Sequence, residues 1–182
     1  MASNADGLRK RPLPWRLVGW AVPVGLLSIP WLARWPWSVD DFIVAGAMFA
    51  IVGGTFELAV RASGNAWYRG GAAIALAAAF LLVWINLAVG IIGNEDNPLN
   101  LVFFGVIAIA LAGSIVARFR AGGMALAMVA AAAVQGLAGF GVFVLGAGAD
   151  EPPGPLGLLA LIEFFAMMWL ASAWCFHKAR GA

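Results

Sequence analysis

The chain has 182 residues, of which 63% are hydrophobic and 11% are charged, and its formal net charge is +2. A typical soluble domain is about 45–50% apolar and about 25% charged. This composition excludes an ordinary soluble globule, a disordered chain and a nucleic-acid-binding protein, and it predicts an integral membrane protein. The sequence contains one cysteine, Cys175, and one histidine, His177. A single chain is therefore unable to form an internal disulfide, a bis-His haem site or a His-rich metal site.

The N-terminal segment, residues 1–14, is polar and basic. The apolar stretch that follows is long, contains Pro23 and Pro30, and shows no A-x-A cleavage pattern before Asp40. These features indicate an uncleaved first helix rather than a removed signal peptide. We therefore predict that residues 1–14 form a cytoplasmic tail.

Six apolar runs follow, each long enough to cross a hydrocarbon core of about 30 Å as a helix. Their continuous hydrophobicity favours helices over the alternating pattern of a membrane β-barrel. The sequence thus predicts an all-α polytopic fold, with a six-helix transmembrane bundle over 15–176 and a cytoplasmic tail over 177–182. The predicted helices cover residues 15–33, 42–61, 69–92, 99–117, 123–147 and 155–176.

Basic residues are distributed unequally between the two sides of this predicted topology. Ten of the eleven Lys and Arg residues fall on the side of the two termini, and Arg34 falls on the other. The positive-inside rule therefore predicts that both termini are cytoplasmic. The expected location is a bacterial inner membrane, with the lipid bilayer itself as the main partner.

Two glutamates lie within apolar runs, where a polar side chain is costly and marks a candidate site. Glu57 precedes Arg61 by four residues, so it forms either an interfacial ion pair on one helix face or a cation site. Glu163 lies eight residues after Pro155, about 12 Å along a helix. It is either a neutral carboxylic acid bonded to a neighbouring helix or a carboxylate that binds a proton or cation.

Two amides, Asn86 and Gln135, also lie within apolar runs. Asn86 precedes Gly93 by seven residues, which places it about 10 Å below the outer surface. Each amide either joins two helices by a hydrogen bond or lines a polar pocket together with Glu163. Similar depths favour such a pocket in the outer half of the bundle.

The predicted outer loop GNEDNPLN carries Glu95 and Asp96. Its acidic and amide side chains are either solvated ends and helix caps or weak cation ligands. The carboxylate of Asp41 and the side-chain amide of Asn97 lie where N-terminal caps of the following helices are expected. The loop lacks the spacing of an EF-hand, so we predict no metal centre there.

Catalytic signatures such as H-E-x-x-H, G-x-S-x-G, S-x-x-K and a Walker loop do not occur in the sequence. An enzyme is therefore the least favoured class, and we expect no catalytic residue and no cofactor. The segments Trp84–Asn100 and Asp41–Arg61, the latter with Phe56-Glu57-Leu58, resemble those of a group of small bacterial multi-pass inner-membrane proteins of unknown function. The resemblance implies that setting and no activity.

Two functional hypotheses remain. The first is a small cation, proton or solute transport or binding protein that uses Glu163, Asn86, Gln135 and Glu57, with Glu95 and Asp96 as outer candidates. The second is a non-catalytic structural or accessory subunit that binds a partner protein or lipid through faces of small residues. A homo-oligomer and a partner membrane subunit are both candidate assemblies.

Overall fold

The computed structural model describes residues 15–148 and 152–181, and within these ranges the chain is helical. The all-α prediction is therefore confirmed. The predicted basic tail, residues 1–14, and the acidic pair Asp150 and Glu151 lie outside the described residues. The helices are α1 (Trp15–Leu32), α2 (Val39–Ala62), α3 (Ala66–Ala88), α4 (Leu101–Val116), α5 (Ala121–Leu145) and α6 (Gly154–Ala179), with a 3-10 turn at Pro98–Asn100 before α4.

Five of these helices, α2 to α6, are long and apolar enough to cross a membrane when the turn at Pro98–Asn100 is counted with α4. In α1, the apolar part that qualifies within the described residues is the shorter stretch Gly19–Leu32. This helix also contains Pro23 and Pro30, and an internal proline removes a backbone hydrogen bond. The structure thus supports a multi-pass membrane protein with five candidate spans.

The chain forms two compact units, and the first ends at Gly54. In this unit, the Trp20 indole lies against α2, 3.1 Å from where a Cβ on Gly53 would stand. The start of α2 is capped reciprocally: Ser38 N donates to Asp41 Oδ2 (2.7 Å) and Asp41 N donates to Ser38 Oγ (3.2 Å). The predicted capping role of Asp41 is therefore confirmed.

The second unit, Thr55–Ala182, contains α3 to α6 and a continuous apolar core. Helix α6 packs against both α3 and α5, and α5 also packs against α4. The largest fully buried apolar side chains come from α3, α4, α5 and α6 and from the segment before α4, and they include Leu82, Ile92, Phe103, Met128, Ile162, Phe165, Trp169 and Phe176.

Small residues allow the helices of this unit to approach closely. A Cβ on Gly113 of α4 would come within 2.7 Å of the Ala127 Cβ on α5. A Cβ on Gly71 of α3 would stand 3.0 Å from the Phe176 ring, and Ser172 Oγ donates to the Gly71 carbonyl at 2.8 Å. The α3–α6 contact therefore combines tight packing with a buried hydrogen bond.

The predicted third helix, 69–92, is wrong at its C-terminal end, because α3 ends at Ala88. Gly90 then adopts a left-handed backbone conformation, with φ +74°. The chain turns back, and Ile91 and Ile92 are buried in the core as loop residues. The sequence suggested a longer helix because these two isoleucines are as apolar as the helix before them.

Asn100 holds this buried loop in place. Its Oδ1 accepts from the amides of Ile91 (3.2 Å) and Ile92 (2.8 Å). Its Nδ2 donates to the carbonyls of Ile92 (3.3 Å) and Asn94 (2.7 Å). Buried backbone groups need hydrogen-bond partners. In this loop the Asn100 side chain supplies the hydrogen bonds that a helix or strand would otherwise provide.

Candidate functional site

Glu163 lies in α6, nine residues after Gly154, or about 14 Å along the helix axis. Its side chain is partly buried, and its carboxylate rests on the backbone of α5. A Cβ on Gly139 would stand 2.9 Å from Oε1, and one on Gly136 would stand 3.5 Å from Oε2. The two glycines therefore form a floor under the carboxylate. A larger residue at either position would fill the space that the carboxylate takes.

Gln135 contacts α6 beside this carboxylate. It is fully buried, and its Nε2 donates to the carbonyl of Ile162 at 3.4 Å. This interhelical hydrogen bond was one of the two predicted roles of Gln135. Because Gln135 adjoins Gly136 and Ile162 adjoins Glu163, the structure brings two sequence-predicted site residues to the same α5–α6 contact.

Gln135 Oε1 and the Glu163 carboxylate have no hydrogen-bond partner within the described part of the chain. Gln135 Oε1 is buried and accepts no hydrogen bond. The Glu163 carboxylate, which is more accessible, makes neither a hydrogen bond nor an ion pair with a described residue. A buried polar atom without a partner is costly, so these groups offer oxygens to a cation or a water, and the carboxylate can also take a proton.

Asn86 occupies a different position from the one predicted. Its Nδ2 donates to the Leu82 carbonyl one turn earlier in α3, at 2.7 Å, rather than to another helix. It lies two residues before the end of α3, about 3 Å along the axis, because α3 ends at Ala88. No hydrogen bond among the described residues joins Asn86 to Glu163, although its Oδ1 is also buried and unpartnered.

Trp169 is a core polar group that the sequence did not reveal as a site residue. Its indole is 1% exposed and its Nε1 donates to no described residue. It lies seven residues after Ile162, on the same face of α6. The available signal was its mid-helix position, away from the helix ends where interfacial tryptophans gather.

Glu57 forms the ion pair that its spacing predicts. Arg61 Nη2 lies 2.7 Å from Glu57 Oε1, one helical turn away. The Glu57 side chain is 18% exposed and that of Arg61 is 64% exposed. Of the two alternatives for Glu57, the local ion pair is therefore confirmed.

Glu95 and Asp96 are exposed in the loop between α3 and α4. The Asp96 amide donates to Asn94 Oδ1 (3.1 Å), and Asn97 Oδ1 caps the following turn at the Leu99 amide (3.0 Å). The predicted cap at Asn97 is confirmed. Within residues 15–148 and 152–181, the acids, histidine and cysteine form no group of three or more that could hold a metal ion.

Comparisons with protein families, with curated proteins and with solved structures give no match to this chain. The resemblance of its α2 and α3–α4 segments to small bacterial membrane proteins therefore stays a prediction.

Proposed function

We propose that this multi-pass membrane protein binds a proton or a small cation at Glu163 and Gln135 as a step in its transport. The observation that carries the proposal is the Glu163 carboxylate on its glycine floor, without a hydrogen bond or ion pair to any described residue. The same α5–α6 contact holds the buried, unpartnered Gln135 Oε1. Glu163 is the anchor of the site, and Gln135 supplies a neutral oxygen.

The chemistry of these two groups suits a small cation. Carboxylate and amide carbonyl oxygens are hard ligands that small cations prefer. In an apolar helix contact, the charged carboxylate is disfavoured unless a proton, a cation or water accompanies it. A site that exchanges one such occupant for another is the simplest use of an isolated intramembrane carboxyl.

The accessory role remains the second candidate, and the position of Glu163 favours it over an enzyme. Helical periodicity places Glu163, Leu170 and Trp174 on one stripe of α6. Leu170 and Trp174 line an open groove against α5. Glu163 lies on the same stripe seven residues before Leu170, so a partner helix packed along this stripe could offer its carboxyl a hydrogen-bond donor.

A hydrophobic carbodiimide tests the proton site directly, because it adds to protonated carboxyls in apolar surroundings. In reconstituted vesicles, we expect mass-spectrometric labelling at Glu163 and little at Glu57, whose carboxylate is held by Arg61. A cation that binds the site should reduce labelling in a concentration-dependent manner. Glu163→Gln should abolish labelling at position 163 and proton or cation flux while leaving the protein folded.

Glu57→Gln is the matched control for loss of one intramembrane carboxyl, and it should retain both labelling at Glu163 and flux. If Glu163 is unlabelled and Glu163→Gln leaves flux unchanged, the transport proposal is overturned. If Glu163→Gln instead releases a co-purifying partner subunit, the accessory role replaces it.

We further propose that the chain crosses a bacterial inner membrane six times with both termini in the cytoplasm. The charge distribution supports this orientation, and the five long apolar helices support five of the crossings. Reporter fusions after Gly64 and Gly122 should therefore be cytoplasmic, and fusions after Val39, Asn97 and Pro153 periplasmic. A cytoplasmic signal after Asn97 and Pro153 would contradict this topology, and one after Val39 alone would remove α1 as a crossing.

A further inference from the structure

An apolar groove of about 330 Å³ runs between the start of α5 and the end of α6. It lies well apart along α6 from Glu163 and does not include it. Its walls are mainly aliphatic and aromatic, and basic side chains stand at one end. The lining residues are Gly122, Ala125, Leu126, Val129, Leu170, Ala173, Trp174, His177 and Arg180.

The floor of the groove is made by small side chains, which leave room between the two helices. Arg180 crosses this floor at its end: its Cδ lies 3.2 Å from where a Cβ on Gly122 would stand. The aliphatic stem of Arg180 thus covers the glycine, and its guanidinium stays at the mouth. His177, one helical turn earlier, is exposed beside it.

The surroundings of this mouth are positively charged. Tyr68 Oη donates to the Phe119 carbonyl at 2.9 Å, which joins the start of α3 to the α4–α5 turn. This turn carries Arg118 and Arg120, and the end of α6 carries Lys178 and Arg180. These helix ends carry no acidic residue, and Glu57, near the end of α2, is paired with Arg61.

Two further features favour an anion at the mouth. No side chain caps the first turn of α5 after Arg120, and helix N-terminal amides attract anions. Trp174 is 53% exposed, packs edge-on against Trp67 and lies 5.5 Å below the Lys178 ammonium. Exposed tryptophan beside lysine is typical of the headgroup layer of a membrane.

We propose that this groove binds an anionic phospholipid. One acyl chain lies along Leu126, Val129 and Leu170, and the phosphate pairs with Arg180 and His177 at the mouth. Charge complementarity selects an anionic headgroup, and the apolar wall, set in membrane-spanning helices, selects a lipid over a soluble phosphate. Basic pockets between transmembrane helices are suited to such headgroups. The proposal is independent of the one made for Glu163.

Native mass spectrometry of the full-length protein with phosphatidylglycerol and with phosphatidylcholine tests this site. We expect retention of phosphatidylglycerol over phosphatidylcholine, and a loss of about fivefold in its affinity in Arg180→Gln. His177→Gln, which removes an imidazole from the mouth, should give a smaller loss. Arg34→Gln is the matched control, since it removes one positive charge from the loop between α1 and α2, outside the groove lining and its basic mouth. It should change the affinity much less.

Ala125→Phe fills the groove and should reduce binding of both lipids while leaving the basic mouth intact. Should this variant fail to fold, the comparison of Arg180→Gln with Arg34→Gln still decides. Equal retention of the two lipids, or equal losses in Arg180→Gln and Arg34→Gln, would overturn the proposal. Displacement of the lipid by glycerol phosphate alone would assign the mouth to a soluble phosphate and also overturn it. Flux through the Glu163 site should persist in Arg180→Gln, so failure of either proposal is recognised separately.

Discussion

Replacing Gly90 with alanine is expected to lower the free energy of unfolding by about 3 kcal/mol or more. Two costs add up in this variant: a side chain on a left-handed backbone, and a methyl group in a site with no room for it. Gly90 has φ +74°, a conformation that disfavours a side chain. In addition, a Cβ there would stand 2.4 Å from the carbonyl carbon and oxygen of Asn94. Because these are backbone atoms, they are unable to rotate away as the end of a side chain would.

Two other glycines separate the contributions to this effect. Gly146 also has a left-handed backbone, φ +64°, but a Cβ there meets nothing within 4 Å. Gly146→Ala should therefore cost only about 1 kcal/mol, from the backbone alone. Gly105 in α4 has open space and no positive φ, so Gly105→Ala should be neutral or stabilising by up to about 1 kcal/mol.

The measurement is unfolding by sodium dodecyl sulfate in mixed micelles, followed by tryptophan fluorescence. The expected order of stability is Gly105→Ala, then Gly146→Ala, then Gly90→Ala. Equal losses for Gly90→Ala and Gly146→Ala would mean that the α3–α4 loop yields to the added methyl group. The tight turn at Gly90 would then not be needed to hold Ile91 and Ile92 in the core.

The helices were predictable because hydropathy acts locally: each long apolar run forms a helix in the structure. The exact ends of the helices were less predictable, and α3 shows the reason. Ile91 and Ile92 continue the apolar run, yet they leave the helix because Gly90 turns the chain and Asn100 satisfies their amides. This choice depends on contacts nine residues apart, which a hydropathy pattern does not contain.

The candidate site was predictable to the same degree. Glu57 with Arg61 followed from spacing alone, since both partners lie on one helix turn. Glu163 and Gln135 were identified as costly polar groups, but their shared contact depends on how α5 and α6 are rotated. The predicted position of Asn86 within its helix relied on a third helix that extends to residue 92, whereas α3 ends at Ala88.

Removing the Asn100 side chain is expected to be as damaging as Gly90→Ala, for a different reason. Its four hydrogen bonds satisfy the amides of Ile91 and Ile92 and the carbonyls of Ile92 and Asn94. Asn100→Leu keeps the volume roughly constant but leaves two buried amides without their acceptor. At about 1–3 kcal/mol for each unsatisfied buried group, the loss should reach about 2–6 kcal/mol.

Asn97→Ala provides the matched control, because Asn97 is a less buried asparagine of the same loop that accepts one hydrogen bond from the Leu99 amide. Loss of such a cap costs about 1 kcal/mol. Hydrogen–deuterium exchange locates the effect: Asn100→Leu should deprotect residues 91–94 before the rest of the second unit, whereas Asn97→Ala should leave them protected.

The four hydrogen bonds of Asn100 also bear on the question whether this loop binds a cation. Because the Asn100 amide is fully engaged with the backbone, its oxygen is not available to an ion. Among the polar side chains of this loop that the sequence offered as cation ligands, Asn100 therefore has a structural role. Unchanged protection of 91–94 in Asn100→Leu would show that burial of the two isoleucines alone holds the loop closed.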